Sequence, residues 1–180
     1  MSDKEALFLA ACRGKSTPRR PVWIMRQAGR ILAPYRELKE QVGSIERMFR
    51  DPAIATEVTL MPVELLGVDA AILFADIFTP VDPMGCSVTF NPGPVLEFYV
   101  STPEDVARLH TFDAENELAY VADIIGRIRS QLPESVPLIG FAGSPFTLAT
   151  YMAETGGRGR EFTGLRQLLH TNPATALALI

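Results

Sequence analysis

The 180-residue sequence is poor in the residues that build metal centres and disulfide frameworks, with two cysteines and two histidines. Cys12 and Cys86 lie far apart and show no ligand spacing. Neither a disulfide scaffold nor a thiolate metal site is expected, and a reducing cytoplasmic compartment is the default. His110 and His170 fall near the C-terminal ends of helical stretches, where an imidazole complements the helix dipole, and neither is assigned a catalytic role. Phosphate loops, nucleophile elbows and metal motifs are missing, and Gly140 to Gly143 is too short and wrongly spaced for a dinucleotide fingerprint. A basic excess is missing too: 17 Lys+Arg stand against 21 Asp+Glu, a net charge of −4. That balance argues against a nucleic-acid binder working by bulk electrostatics, so any anion site must be local. Apolar stretches are broken by Glu64, Asp69 and Asp76, which excludes a membrane span. The charged start Met1-Ser2-Asp3-Lys4-Glu5 and the lack of a cleavage-type end give no expectation of a signal peptide. There is no repeat and no low-complexity tract.

What is present is a globular composition, 47% hydrophobic and 21% charged, too apolar for disorder. Helical periodicity covers Lys4 to Cys12 and Pro34 to about Val42. Asp51-Pro52 reads as a cap and first turn, opening a helix to Leu66 that Gly67 ends. Thr102-Pro103 opens a short helix, and Glu115 to Leu132 reads as one long amphipathic helix. Ser144-Pro145 caps a helix through Met152, another covers about Glu161 to His170, and Asn172-Pro173 starts the last. Pro21 to Met25, Val68 to Ala75 and Pro137 to Phe141 read as strands of a parallel sheet. Short extended pieces are expected around Ser87–Phe90 and Val95–Tyr99.

Alternating strands and helices predict an α/β architecture. Three strong strands are few for a closed (β/α)8 barrel, which takes about 250 residues. The uncapped apolar run at the end reads as a chain that continues. The expectation is the N-terminal part of a TIM barrel, incomplete in this chain, with residues 1–180 forming the front of one domain.

In such barrels the chemistry lies at strand C-termini. Here those ends are Met25-Arg26-Gln27-Ala28-Gly29-Arg30, Phe74-Ala75-Asp76 and Gly140-Phe141-Ala142-Gly143-Ser144-Pro145. Arg26 and Arg30 carry planar, permanently charged forks suited to carboxylates. Gly29 is read as permitting an unusual backbone conformation and close ligand approach between them. The alternative is that both arginines are ordinary surface charges or pair with local acids. The stretch from Arg13 to Lys39 shifts the balance, because its basic residues face a single acid, Glu37. Asp76 ends an apolar strand and is either a structural cap or a carboxylate at the edge of a dry pocket. Beside arginines it is expected to stay ionised and to accept from N–H donors or stabilise a cation. Tyr151 on its own pattern is as well explained by a core position.

Pro21-Val22-Trp23-Ile24-Met25-Arg26-Gln27-Ala28-Gly29-Arg30 resembles the first signature of the uroporphyrinogen decarboxylase family. Gly140 through Tyr151 resembles the second, and Ala71 to Asp76 is similar to the strand that delivers that family's aspartate. The resemblance implies a barrel roughly twice this length that decarboxylates uroporphyrinogen, a tetrapyrrole bearing eight carboxylates. It implies that Arg26 and Arg30 bind those carboxylates, that Gln27, Ala28 and Gly29 line the same loop, and that Asp76 accepts from the pyrrole N–H groups. Tyr151 would contact the substrate. No cofactor and no metal are implied, and the family forms homodimers. Two other readings stand beside this one. A cobalamin-linked methyltransferase of the same superfamily would bind zinc through His and Cys in the C-terminal half. A non-catalytic remnant would be an open piece of barrel that exposes strand edges.

Overall fold

A computed structural model describes residues 6–91, 93–154 and 162–180. Among these residues, helices α1 (Leu7–Cys12), α2 (Ala33–Val42), α3 (Ile45–Arg50) and α4 (Pro52–Leu66) precede strands β1 (Ala71–Ile72), β2 (Val88–Phe90) and β3 (Pro94–Leu96). Helices α5 (Pro103–Val106), α6 (Ala114–Glu117) and α7 (Ala119–Gln131) lead to β4 (Leu138–Ile139), followed by α8 (Pro145–Met152), α9 (Thr163–Thr171) and α10 (Pro173–Leu179). None is long and apolar enough to cross a membrane. The chain forms two compact units. One comprises the residues up to Ala75 with Ala119–Phe141, and the other comprises Asp76–Leu118 with Ala142–Ile180.

In the first unit, local chemistry sets the helix ends. Asp51 Oδ1 accepts the Ala53 and Ile54 N–H groups, Pro52 opens the first turn, and Gly67 closes α4 in the left-handed region at φ 63°. Gly43 closes α2 the same way at φ 74°. Helix α3 was not read from the sequence; Ser44 caps it by accepting the Arg47 N–H. Helix α4 is buried along Ala55, Thr56 and Val58 to Pro62, the pattern of a helix enclosed on most sides. Its Leu60 and Ala55 pack with Leu73, Ile124 and Ile128, so α4 and α7 together cover the strand. Each buried leucine or isoleucine of this set contributes about 1.5–3 kcal/mol of transfer free energy. A second cluster joins Leu32, Tyr35, Met48, Val58 and Met61.

Strand β1 pairs with β4 in parallel, Ala71 opposite Leu138 and Ile72 opposite Ile139. The expected strands at Val68 to Ala75 and Pro137 to Phe141 thus exist, but their ladder is short. Leu73 N–H reaches Ile139 O at 3.0 Å, while the next amide, Phe74, goes to the Thr59 hydroxyl instead. The expected strand at Pro21 to Met25 does not form. Val22 O accepts Asp69 N–H at 2.8 Å, but Val22 N–H donates to the Asp69 carboxylate and Ile24 N–H to the Gln27 side chain. Pro21 has no N–H to offer. Side chains take the donors that a ladder needs.

In the second unit, β2 and β3 form an antiparallel hairpin with Val88 opposite Leu96 and Phe90 opposite Pro94. It packs on Phe78, Val81, Cys86, Val100 and Met152. Thr102 and Asp105 form a reciprocal capping box on α5. The single helix expected over Glu115 to Leu132 is two helices, because Leu118 leaves helical geometry at φ −114°, ψ 23°. Ser144 caps α8 and Asn172 caps α10, accepting the Thr147 and Thr175 N–H groups. Helices α8, α9 and α10 share a core of Ala149, Ala153, Leu165, Leu168 and Ala176. The expected helix starts at Lys4 and Glu161 lie outside the described residues.

Candidate active site

The first unit carries the arginine loop. Arg26 adopts a left-handed backbone at φ 58°, a conformation that costs a non-glycine residue about 1–3 kcal/mol. The sequence reading gave the unusual conformation to Gly29; the structure gives it to Arg26. Gly29 serves a different need, since a Cβ there would lie 3.2 Å from Arg26 O, so the loop closes tightly on itself. Gln27 is fully buried, donates its Nε2 to Ala70 O at 2.9 Å and accepts Ile24 N–H at 3.2 Å. Its side chain therefore faces the strand and not the open side of the loop. Ala28 is half-buried and packs on the Leu32–Tyr35 cluster. Arg26 and Arg30 are both exposed, and neither guanidinium has a hydrogen-bond or carboxylate partner among the described residues. Arg36 Nη1 donates to the carbonyls of Arg30 and Ile31 at 2.8 and 3.3 Å. Burial pushes the Tyr35 hydroxyl above its ordinary pKa, with the nearby Arg30 charge pulling it down. The loop thus carries two exposed guanidiniums, unpartnered among the described residues, on a backbone tied down by Gln27.

The second unit carries Asp76 and Tyr151. Asp76 Oδ1 accepts Phe78 N–H at 2.9 Å, and Asp76 O accepts the Thr79 hydroxyl at 2.7 Å. These bonds fix the turn and leave Oδ2 without a partner among the described residues. Phe78 in turn meets Tyr151 edge-on, ring centroids 5.2 Å apart, and Phe162 flanks Tyr151 from another side at 4.9 Å. The Tyr151 hydroxyl has no hydrogen-bond partner among the described residues. Burial pushes the Asp76 carboxyl above its ordinary pKa, and the Phe78 N–H offsets this only in part. This upward push is a desolvation effect, opposite in direction to what a neighbouring cation imposes on a carboxyl. Gly143 lies close by in the same unit. A Cβ there would meet Leu148 Cδ2 at 2.9 Å and Ile77 Cβ at 3.5 Å, so this glycine lets the start of α8 pack beside the Asp76 turn.

One supporting residue, Thr59, escaped the sequence reading. Thr59, fully buried, donates to Ala55 O at 2.7 Å and accepts Phe74 N–H at 3.0 Å, anchoring the segment just before Asp76. A threonine in an apolar helix was the available signal. Trp23, part of the first signature, has a buried Nε1 donor with no acceptor among the described residues. Among the described residues no group of three or more His, Cys, Asp or Glu is placed to hold a metal ion.

A parallel strand pair whose C-terminal end leads to a half-buried carboxylate, with glycine-rich and arginine-rich turns after the neighbouring segments, defines an α/β protein of the barrel class. The fold is the N-terminal part of a (β/α)8 barrel. The chain belongs to the uroporphyrinogen decarboxylase (URO-D) family, whose profile matches residues 3–180. It is 47% identical over 173 residues to the uroporphyrinogen decarboxylase of Geobacter metallireducens, covering 96% of this chain and 50% of that one. It is 46% identical over 180 residues to the enzyme of Syntrophotalea carbinolica, covering 100% of this chain and 52% of the relative. The chain therefore spans about half the length of the curated relatives it matches. A solved methyltransferase from Methanosarcina mazei superposes with a TM-score of 0.68 at 20% identity, covering 98% of this chain and 52% of that one. At that identity the likeness concerns the fold alone.

Proposed function

We propose that this chain supplies the N-terminal half of a single-domain, cytoplasmic, homodimeric decarboxylase. The enzyme would remove CO2 from the four acetate side chains of uroporphyrinogen III to give coproporphyrinogen III. The observation that carries the reading is the pair of exposed guanidiniums, Arg26 and Arg30, unpartnered among the described residues, on a loop tied down by Gln27. Such forks suit a substrate ringed with carboxylates. Loop closure through Gly29 and partial packing of Ala28 keep that backbone compact beneath the ligand.

In the chemistry we assign, a pyrrole carbon takes up a proton and the ring becomes an electron-poor iminium. The bond between the acetate methylene and its carboxyl carbon breaks. Its electron pair flows into the ring, CO2 leaves, and the methylene carbon is protonated to a methyl group while the ring proton is lost. One proton is consumed for each CO2 released. Asp76, ionised and accepting from pyrrole N–H groups through its free oxygen, would oppose the positive charge developing on the ring. Substrate N–H donors would replace the hydration that burial has removed from this carboxylate. Tyr151, whose hydroxyl has no partner among the described residues, would contact the macrocycle. The fold shared with a methyltransferase gives that rival no residue-level support.

The test is turnover by the full-length protein under anaerobic conditions, with uroporphyrinogen as substrate and coproporphyrinogen measured after oxidation to the porphyrin. Wild type should convert it, Arg26→Ala should raise KM, and Asp76→Asn should lower kcat by at least ~100-fold. Absence of wild-type turnover, or stoichiometric zinc with methyl transfer, would refute the assignment.

A further inference from the structure

The arginine loop combines one conformational outlier with one unusually placed amide. Arg26 is one of two non-glycine residues with positive φ among the described residues. The residue immediately after it, Gln27, is fully buried and spends both ends of its side chain on backbone groups. Its Nε2 reaches Ala70 O, just ahead of β1, and its Oε1 receives Ile24 N–H from the near side of the same loop. Gln27 N–H also donates to Ile24 O at 3.0 Å, so Ile24 and Gln27 are joined by two bonds that enclose Met25 and Arg26. A left-handed arginine persists only where its surroundings over-determine it. Here the closing bonds and the anchor to Ala70 do so.

We infer that Gln27 is a positioning residue: its buried amide staples the Arg26 loop to the strand and holds Arg26 in its left-handed conformation, so that Arg26 and Arg30 stand preorganised for carboxylates without Gln27 itself meeting the substrate. This rests on the functional reading above and removes one residue from its contact set. Preorganised forks lose less freedom on binding. Loss of the staple weakens substrate binding in ground and transition states alike, and such uniform loss raises KM while leaving kcat nearly unchanged.

The experiment uses the full-length enzyme with Gln27→Met, which keeps length and volume but supplies neither bond. Ile128→Val, a core trim in the same unit, serves as the stability control. Should the Met variant fail to fold, Gln27→Glu, which retains the acceptor for Ile24 N–H and loses the donor to Ala70 O, carries the same test. Two readouts are taken: KM and kcat for uroporphyrinogen, and the rate of trypsin cleavage after Arg26. The expected result is KM raised at least ~10-fold with kcat within a factor of about three, the signature of uniform binding loss, and faster cleavage than in the control. Unchanged KM and cleavage in a folded variant would overturn the staple. A fall in kcat at constant KM would overturn it too, because it would mark a group acting on the transition state itself. If wild type does not turn over uroporphyrinogen, the functional reading fails on that result alone. The cleavage rate then decides the staple by itself: faster than the control supports it, and no faster refutes it.

Discussion

The hydroxyl of Thr59 stands between a helix and a strand end, donating to Ala55 O within α4 and accepting the Phe74 N–H at 3.0 Å. Phe74 is held further by the rings of Tyr35 and Phe49, with centroids at 5.9 and 4.9 Å. Removing the hydroxyl leaves Phe74 N–H without its partner, and an unsatisfied donor of this kind costs about 1–3 kcal/mol. Thr59→Val, equal in shape, should lower the stability of the full-length protein by that amount. Chemical denaturation checks it, and a midpoint unchanged from wild type would mean that water replaces the threonine.

Asp76→Asn should make the protein more stable at neutral pH while disabling it. The folded-state pKa of this carboxyl lies above the ordinary value because burial opposes the charge. Its favourable contribution is therefore full below the unfolded pKa and is lost as pH rises through the folded pKa, leaving a cost at pH 7. Asparagine keeps the Oδ1 acceptor for Phe78 N–H and carries no charge to desolvate. Thermal unfolding from pH 3 to pH 8 should show the variant gaining on wild type as pH rises. The acid limb of kcat/KM in wild type should fall above the usual aspartate range. A variant less stable than wild type at pH 7 would contradict this account.

Asp69 predicts the opposite pH dependence. Arg19 grips both its oxygens, at 2.5 and 2.7 Å, and Val22 N–H adds a third bond at 2.7 Å. The Arg19 hydrogen bond leads in holding this carboxyl below its ordinary pKa. The resulting stability is present above the unfolded pKa and is lost as pH falls through the folded one. Asp69→Asn should therefore lower the melting temperature at pH 7, with the gap to wild type closing in strong acid. A gap that stays constant across that range would show that the charge is immaterial and that only the hydrogen bonds matter.

Gly164→Ala sets two effects against each other. Inside a helix the change ordinarily stabilises by about 0.5–1 kcal/mol. Here the new Cβ would lie 2.0 Å from Ala153 O, a backbone atom that no side-chain rotation can move aside. Overpacking costs about 1–3 kcal/mol, so the net expectation is destabilisation, read as a lower denaturation midpoint. A gain in stability would mean that α8 and α9 separate freely.

Helix boundaries were legible because their determinants sit next to the ends they cap. Asp51-Pro52, Ser144-Pro145, Thr102-Pro103 and Asn172-Pro173 each announce a first turn, and each caps one. The two strands that pair, β1 and β4, were legible from their apolar runs. The apparent strand at Pro21 to Met25 misled, because nothing local reveals that Asp69, far along the chain, takes its donor. The candidate site divides the same way. Arg26, Arg30, Asp76 and Tyr151 stood out by residue type and motif. The burial of Gln27, the strain at Arg26 and the reach of Thr59 to Phe74 did not, since each depends on a partner brought near only by folding.

The sequence by itself determined the α/β class, four of the helix caps and the family, and it singled out Arg26, Arg30 and Asp76 as candidates. These are properties of residue type and short-range order, and they survive without coordinates. Only the tertiary structure decided which amide holds the arginine loop, which residue bears the left-handed backbone, and whether Asp76 is pushed toward or away from its proton. Those outcomes follow from desolvation and from hydrogen bonds between distant segments, and no local pattern of residues encodes either.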